Sequence, residues 1–323
     1  MKALVLSGGG ALGAFEAGAI QALTDGGYEF NLICGTSIGA INAALVCQDK
    51  VDELTAIWKS ISKSNVIEYV TPIQYAMMLA DEIEKLGHAN PFGLLPAVER
   101  WMQVGSKKAL LALRGIVKPD SIEQILSDHL DFNEIKRSLI VTATNLTYGS
   151  SDSFFAFVGT NCNEIQQTFV RAAGASGRAL STDEGFRTAV RASAAIPGFF
   201  APVPMSLGTR GEKEYVDGGV ANNVPVTLAA MAGATDVVVI LLQPQATNPS
   251  YVTATLEDIA LASYTVVQQQ LLRLDMEIAR SKGVNVTSIQ PSAPLTLSLL
   301  GFADQNGIDS AFELGYAAVR NMP

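Results

Sequence analysis

The chain of 323 residues has few cysteines, few charges and no long apolar run. Its three cysteines, Cys34, Cys47 and Cys162, are too few and too scattered for a disulfide framework or a zinc site, so we expect a reducing environment. A membrane-spanning helix needs roughly 18 or more consecutive apolar residues, and no such run occurs. The first six residues resemble the start of a secretion signal, but the glycines at 8–10 interrupt that pattern.

Cationic side chains are scarce as well. Lysine and arginine together number 22 and aspartate and glutamate 31, which gives a net charge of −9. Because non-specific binding to nucleic acid depends on a surplus of cations that displace counterions, we expect no nucleic-acid partner. The same balance does not favour electrostatic docking on an anionic membrane, which a local patch would have to supply. With 48% apolar and 16% charged residues, the composition supports a sizeable buried core.

Short apolar runs alternate with helical patterns from the first residues onwards. Residues 3–6 and 30–34 have the pattern of strands buried on both faces, and good helix formers occupy 14–24 between them. Two strands joined by a helix within about 35 residues form a βαβ unit, so the pattern predicts an α/β fold with a parallel sheet. The other predicted strands are 139–143, 154–158, 213–216, 236–242 and 284–290, and the other predicted helices are 38–46, 121–130, 163–173, 183–195, 225–232, 252–281 and 307–320.

One segment departs from this alternation. Residues 60–130 contain a region that is rich in methionine, leucine and aromatic side chains and is interrupted by Pro72, Pro91 and Pro96. We interpret the segment as a helical insertion over the end of the sheet. Its apolar surface suits a lid or an acyl-binding region, and plain core packing explains the same composition equally well.

The sequence Gly35-Thr36-Ser37-Ile38-Gly39 lies between a predicted strand and a predicted helix. This is the context of a Gly-x-Ser-x-Gly nucleophile elbow, in which the turn is too tight for side chains on either side of the serine. The turn lifts the hydroxyl of Ser37 out of the sheet and places it at the positive end of the next helix, which favours an alkoxide. A chance match in an ordinary strand-to-helix turn is the alternative, but the flanking elements favour a nucleophile.

A second glycine-rich turn, residues 8–13, follows the first strand directly. Gly8, Gly9 and Gly10 allow backbone amides to point into one spot beside a helix N-terminus, which suits a phosphate or the oxyanion of an acyl-transfer intermediate. The turn also fits the dinucleotide fingerprint, which requires an acidic residue at the end of the second strand. Positions 35–37 hold no acid, so the loop suits the serine better than a nucleotide.

A serine nucleophile needs a base, and histidine is almost absent. The two histidines, His88 in a loop and His129 in a polar helical stretch, both precede every later acidic candidate. The α/β-hydrolase triad has its histidine last and is therefore excluded, and His129 is expected at the solvated surface. The remaining candidate base is a carboxylate, and Asp217 stands out because two glycines follow it at the end of a predicted strand. Considered alone, Asp217 is explained more simply by a tight Asp-Gly turn.

These segments together resemble the ordered signature of the patatin-like phospholipase family. The segments that carry the resemblance, in chain order, are the glycine loop at 8–13, the elbow at 35–39, Arg-Ala-Ser-Ala-Ala-Ile-Pro at 191–197, Asp-Gly-Gly at 217–219 and Asn-Val-Pro-Val at 223–226. The resemblance extends over roughly residues 1–47 and 138–242.

The resemblance implies a three-layer α/β/α fold with a mainly parallel central sheet, and a Ser–Asp dyad without histidine. It gives Ser37 the role of nucleophile and Asp217 that of base. The oxyanion hole is implied at the backbone amides of Gly8, Gly9, Gly10 and Ile38. Leu12 departs from the family pattern, which has Arg or Lys at that position.

The implied activity is that of a lipid acyl hydrolase, which cleaves ester-linked fatty acyl chains of phospholipids or lysophospholipids through an acyl-enzyme. A broader carboxylester or triacylglycerol hydrolase with the same dyad is one alternative, and a nucleotide-binding protein that uses the glycine loop is another. An inactive family member that only binds its ligand is disfavoured, because Ser37 and Asp217 are both present. We expect a single domain over 1–323, a cytoplasmic location, an acyl-lipid substrate with transient contact at a membrane surface, and no cofactor or metal ion.

Overall fold

The computed structural model describes residues 1–64, 66–69, 114–206, 211–244 and 256–320. The strands in these ranges are β1 (Lys2–Leu6), β2 (Leu32–Thr36), β3 (Ser138–Asn145), β4 (Ser150–Ala156), β5 (Gly177–Ala179), β6 (Val203–Ser206), β7 (Glu212–Asp217), β8 (Asp236–Ile240) and β9 (Asn285–Ile289). The α-helices are α1 (Gly13–Asp25), α2 (Ile38–Val46), α3 (Val51–Trp58), α4 (Asp120–His129), α5 (Cys162–Ala173), α6 (Asp183–Ser193), α7 (Val226–Met231), α8 (Leu256–Ser281) and α9 (Gln305–Arg320). None of the helices in the described ranges combines the length and the hydropathy that crossing a bilayer requires.

The strands form one sheet, with the order β5-β4-β3-β2-β1-β8-β9. The parallel pairs are β1 with β2, β1 with β8, β2 with β3, β4 with β5, and β8 with β9. β4 runs antiparallel to β3, and β7 is antiparallel to both β3 and β6. The predicted α/β class with a mainly parallel central sheet is confirmed.

Helices cover both faces of the sheet, because successive side chains of a strand point to opposite faces. On β1, Leu4 packs with α1, α2 and α9, whereas Val5 packs on the other face with α7 and α8. In the first of these layers α1 and α9 cross closely: a Cβ atom on Gly18 or on Gly315 would collide with a backbone oxygen of the facing helix. The predicted three-layer α/β/α arrangement is therefore confirmed.

Three elements were not predicted, and two strands are shifted. β4 begins four residues before the predicted strand at 154–158 and ends two residues before the end of that strand. The sequence predicts the second strand at 30–34, but β2 begins and ends two residues later, because its backbone follows the pairing of Leu32 with Ala3 rather than the apolar run. β5 and β6 are short strands whose burial is partial, so they lack a continuous apolar signal. α3 is the third unpredicted element, and it packs against α1.

The predicted insertion at 60–130 is described only at its ends. Residues 65 and 70–113, which include His88, lie outside the described residues. An antiparallel bridge between Tyr69 and Val117 brings the two ends together. α4 follows the bridge, close to its predicted position, and packs against α6.

Candidate active site

Ser37 and Asp217 are brought together by one edge of β3. β2 pairs with that edge as far as Thr36, opposite Thr142, and β7 takes its place at the next residue, where Asp217 lies opposite Ala143. β4 occupies the other edge of β3 over the same residues, so β2 and β7 lie on the same side. The ends of β2 and β7 therefore meet, although Ser37 and Asp217 are 180 positions apart in the chain.

The hydroxyl of Ser37 donates a hydrogen bond to the carboxylate of Asp217. The distance from Ser37 Oγ to Asp217 Oδ2 is 2.5 Å. Both side chains are shielded from solvent, with Ser37 4% exposed and Asp217 fully buried. A general base must lie within hydrogen-bond reach of the proton that it takes, and this pair meets that condition.

The backbone of Ser37 has the strained conformation of a sharp turn between strand and helix. Its φ is 56° and its ψ is −127°, a combination that is rare for a residue with a side chain. The flanking glycines are required by close backbone contacts: a Cβ on Gly35 would collide with the carbonyl oxygen of Gly39, and one on Gly39 would lie 2.6 Å from that of Ser7. Ser37 immediately precedes α2, so it lies at the positive end of that helix.

Two further residues hold these turns in place. The amide of Ser37 donates to Oγ of Ser193, at the end of α6, over 2.8 Å. The amide of Gly8 donates to Oδ1 of Asn223 over 3.1 Å, and Nδ2 of Asn223 donates back to the Gly8 carbonyl over 3.4 Å. Both residues belong to the segments that carry the family resemblance, but no role was predicted for either from the sequence. Their contacts identify them as positioning residues.

The second carboxylate oxygen of Asp217 is held by two donors. Oδ1 accepts hydrogen bonds from the amide of Gly219 over 2.7 Å and from the phenol of Tyr264 over 2.9 Å. Tyr264 lies on α8, and no motif in the sequence indicated it. Burial raises the pKa of Asp217 to about 6, although hydrogen bonds from Ser37, Gly219 and Tyr264 act in the opposite direction. Burial and the neighbouring carboxylate raise the pKa of Tyr264 well above its usual value, so Tyr264 stays a donor.

The glycine loop lies against Ser37. A Cβ on Gly8 would be 3.0 Å from Cβ of Ser37. The Gly8 amide is already bonded to an asparagine side chain, so in this conformation Gly8 anchors the loop. Within the described part of the chain, the amides of Gly9 and Gly10 have no hydrogen-bond acceptor. Ile38 is the first residue of α2, and its amide has no acceptor inside that helix. These three amides are the donors that the site offers to an anion.

An apolar cleft, open to solvent, begins at Ser37 and Gly10. Its walls come from α2, α3, α4 and the segment before α9, and they include Ile41, Ile57, Trp58, Ile122, Ile125 and Phe302. Burial of hydrocarbon in such a cleft is favourable by roughly 25 cal/mol per Å² of apolar surface. The cleft therefore offers an apolar surface that begins at the Ser37 hydroxyl.

Two other residues that the sequence singled out are Leu12 and His129. Leu12, where the family pattern has a cation, is 7% exposed and packs in the apolar core. His129, predicted at the solvated surface, has 28% of its side chain exposed, and its Nδ1 contacts the carboxylate of Glu53.

Comparison with known proteins gives relatives of one family. The family model for patatin-like phospholipases matches residues 4–230. The uncharacterized protein YqhO of Bacillus subtilis is 26% identical over 252 residues, which make up 75% of this chain and 71% of the relative. An uncharacterized NTE family protein of Mycobacterium bovis is 27% identical over 231 residues, 72% of this chain and 45% of the relative. The chain thus spans less than half the length of that relative.

Two further matches are a short segment of a lysophospholipase and a solved structure of low sequence identity. Lysophospholipase nte1 of Aspergillus terreus is 52% identical over 46 residues, 14% of this chain and 3% of the relative. Among solved structures, VipD from Legionella pneumophila matches with a TM-score of 0.38 and 15% identity over 98% of this chain and 67% of that chain.

The matched segment contains the whole of the Ser37–Asp217 geometry. It includes the glycine loop, both strands that end at the pair, Ser193 and Asn223, and it ends before α8 and Tyr264. Family and relatives together support a lipid hydrolase in general terms. With 227 consecutive residues of the 323 covered by the family model, the chain belongs to the patatin-like phospholipase family.

Proposed function

We propose that the chain is a serine acyl hydrolase that cleaves ester-linked fatty acyl chains of phospholipids or lysophospholipids. The observation that carries the proposal is the 2.5 Å hydrogen bond from Ser37 Oγ to Asp217 Oδ2 at the mouth of an apolar cleft. A nucleophile, a base and an acyl-binding surface are thus adjacent, which is the minimum that acyl transfer requires.

In the first half of the reaction, Ser37 Oγ attacks the ester carbonyl carbon and its proton passes to Asp217 Oδ2. The carbonyl oxygen becomes an oxyanion, which accepts hydrogen bonds from the amides of Gly9, Gly10 and Ile38. When this intermediate collapses, the bond to the leaving alcohol breaks, and the alcohol takes the proton from Asp217. An acyl-serine ester remains. Each oxyanion donor of this kind typically contributes about 2.7–4 kcal/mol to transition-state stabilisation.

In the second half, a water molecule attacks the acyl-serine carbonyl and gives a proton to Asp217. Collapse of this intermediate releases the fatty acid, and Ser37 Oγ regains the proton. The pKa of Asp217, raised by burial to about 6, suits both directions of proton transfer, because the carboxylate is ionised near neutrality yet is a stronger base than an exposed aspartate.

A carboxylester or triacylglycerol hydrolase with the same pair is the alternative function. It shares the nucleophile and the apolar cleft and differs only in the alcohol that leaves. Incubation with defined phospholipids, lysophospholipids and triacylglycerols, with the products identified by mass, separates the two.

Contact with a membrane surface follows from such a substrate, and we propose that it is transient and made by a cytoplasmic protein. α8 exposes a row of apolar side chains, Ile259, Val266, Val267, Leu274 and Ile278. Spacings of seven or eight residues place Ile259, Val266 and Leu274 on one face of the helix. Arg273 and Arg280 follow Val266 at seven and fourteen residues on this side of the helix, and exposed apolar side chains beside cations are suited to a bilayer interface.

The central test is the pair of variants Ser37→Ala and Asp217→Asn. Both should lose at least about a thousandfold in kcat on a long-chain phospholipid ester while they keep the wild-type circular dichroism spectrum. A fluorophosphonate probe should label the wild type and not Ser37→Ala. Ser138→Ala, at a buried serine that begins β3, is the matched control and should remain labelled. Activity of Ser37→Ala close to that of the wild type would refute the proposal.

A further inference from the structure

A second, larger cavity lies across the glycine loop from the apolar cleft. It is open to solvent. Residues 7–9, which follow β1, and residues 241–244, which follow β8, form its floor, and α8 forms one wall. β1 lies between β2 and β8 in the sheet. The chain continues from β1 to β2 on one side and later adds β8 on the other side of β1. The crevice outside the carboxyl ends of strands at such a switch point is where open α/β sheets bind ligands.

Two arginines give this cavity a local positive charge. Arg273 and Arg280 both line it, both are exposed, and their spacing of seven residues places them on one face of α8. In the part of the chain that the structure describes, neither forms an ion pair. Glu277 lies between them and lines the same wall, so cations outnumber anions there by two to one. In a chain with a net charge of −9, this wall has the opposite sign to the molecule as a whole.

The rest of the wall combines neutral polar groups with apolar ones. Gln269 Nε2 donates to Gln243 Oε1 over 2.6 Å at the rim. Leu272 and Met276 add apolar surface next to the arginines. A glycerol unit with a phosphate presents the matching chemistry, because its oxygens can accept hydrogen bonds from the arginines while its carbon stem packs on apolar side chains.

The cavity is next to the catalytic pair. Gly8 lines the cavity and also packs against Ser37, since a Cβ at Gly8 would be 3.0 Å from the Cβ of Ser37. Gln268 lines the cavity as well and closely approaches Gly219, whose amide binds Asp217. A lipid whose ester lies over the glycine loop therefore has the apolar cleft on one side and the arginine wall on the other.

We propose that Arg273 and Arg280 bind the phosphate of the substrate head group while the acyl chain occupies the apolar cleft. The inference rests on the proposed function and deepens it, because it selects phosphate-bearing acyl lipids over neutral glycerides. Both arginines lie on α8, beyond the segment that the family model matches.

The test compares two substrates with the same acyl chain in the same neutral detergent micelles. One is a lysophosphatidylglycerol and the other a monoacylglycerol. The double variant Arg273→Gln/Arg280→Gln should lower kcat/KM for the phosphate ester about tenfold and leave the neutral ester within about twofold. Glu277→Gln, which removes the one anion of the wall, should raise kcat/KM for the phosphate ester. Arg171→Gln, an exposed arginine on α5 without an ion pair among the described residues, is the matched control and should change neither.

Equal losses on both substrates, or no loss on the phosphate ester, would overturn the inference and leave the proposed hydrolase intact. Absence of Ser37-dependent hydrolysis of every ester would overturn the proposed function instead. In that case, binding of the lysophosphatidylglycerol to Ser37→Ala still tests the arginines. The variant that combines Ser37→Ala with Arg273→Gln and Arg280→Gln should bind this lipid about tenfold more weakly than Ser37→Ala does. If Ser37→Ala binds free glycerol 3-phosphate as tightly as the lipid, the cavity takes a soluble phosphate and the head-group assignment is wrong.

Discussion

Tyr264 donates a hydrogen bond to Oδ1 of Asp217 over 2.9 Å, from a helix that lies outside the segment matched by the family model. The amide of Gly219 donates to the same oxygen, so the carboxylate is fixed with Oδ2 facing Ser37. Tyr264 does not touch Ser37 Oγ, and we therefore regard it as a positioning residue that also stabilises the ionised carboxylate.

Tyr264→Phe should shift the acidic limb of the pH profile of kcat/KM upwards. In the wild type this limb should lie near pH 6, where burial places the pKa of Asp217. Loss of the phenol removes a hydrogen bond that lowers this pKa, so the variant should lose more activity at about pH 6 than at about pH 8. Tyr264 is the one titratable side chain that the described residues place in contact with Asp217, so its loss is the only electrostatic change at the carboxylate.

Tyr316→Phe is the matched control for this shift. The phenol of Tyr316 donates to Asp25 over 2.8 Å at the surface, so the same chemical change is made at a tyrosine–aspartate pair away from the site. Its pH profile should coincide with that of the wild type. An acidic limb that stays in place in Tyr264→Phe would contradict the positioning role.

Asp217→Asn should stabilise the fold at alkaline pH while it abolishes hydrolysis. Because the pKa of Asp217 is raised from 3.8 to about 6, the folded state holds this proton more tightly than the unfolded state does. The resulting stability is complete below about pH 4 and is lost as the pH rises through about 6. Asparagine stays neutral, so the variant should gain about 1–3 kcal/mol in free energy of unfolding at about pH 8 and little at about pH 4.

Urea unfolding at the two pH values measures this difference. Ser37→Ala is a useful comparison because it keeps the carboxyl group. A difference between Asp217→Asn and the wild type that is the same at both pH values would show that the buried charge is not its cause.

The buried carboxyl group of Glu16 leads us to expect a second pH dependence, which affects the stability of the fold and not the catalytic step. Burial raises the pKa of Glu16 to about 8. Its carboxyl accepts a hydrogen bond from Asn42 Nδ2 over 2.9 Å, and Asn42 Oδ1 accepts one from Trp58 over 3.1 Å. The neutral acid therefore belongs to the core, and its contribution is lost as the pH rises through about 8. Between about pH 7 and pH 9 the wild-type Tm should fall more steeply than that of Glu16→Gln, and Glu164→Gln, an exposed glutamate on α5, should follow the wild type.

The apolar cleft predicts a change in chain-length preference. Ile41 lies on α2, is partly buried and faces the cleft. Ile41→Trp should fill part of the cleft, so the ratio of kcat/KM for a long-chain ester to that for a short-chain ester should fall about tenfold. Leu314→Trp places the same side chain on an exposed site of α9 and should leave the ratio unchanged. An unchanged ratio in Ile41→Trp would place the acyl chain elsewhere.

The sequence predicted the parts of this site that local geometry determines. The elbow around Ser37 needs glycines at fixed positions, so a short pattern was enough to find it. Asp-Gly-Gly at 217–219 alone indicates a tight turn, and Asp217 could be identified as the base only from the order of several short segments that resemble the family. Tyr264 could not, because its approach to Asp217 depends on how α8 packs on the sheet and no spacing encodes that packing. Arg273 and Arg280 were missed for the same reason. Their place in the cavity depends on the packing of α8, and two charged residues on a long helix are typical of an ordinary solvated face.

Because β2 and β7 pair with successive residues along one edge of β3, hydrolysis of an ester should report when these three strands have paired correctly during folding. Ser37 reaches Asp217 only when the strands that contain residues 36, 143 and 217 have paired with one another. Pairings between residues so distant in sequence form slowly. In a refolding time course, far-ultraviolet ellipticity from the helices should return first. Turnover of ester should lag behind it, appearing only as the register between these three strands is completed.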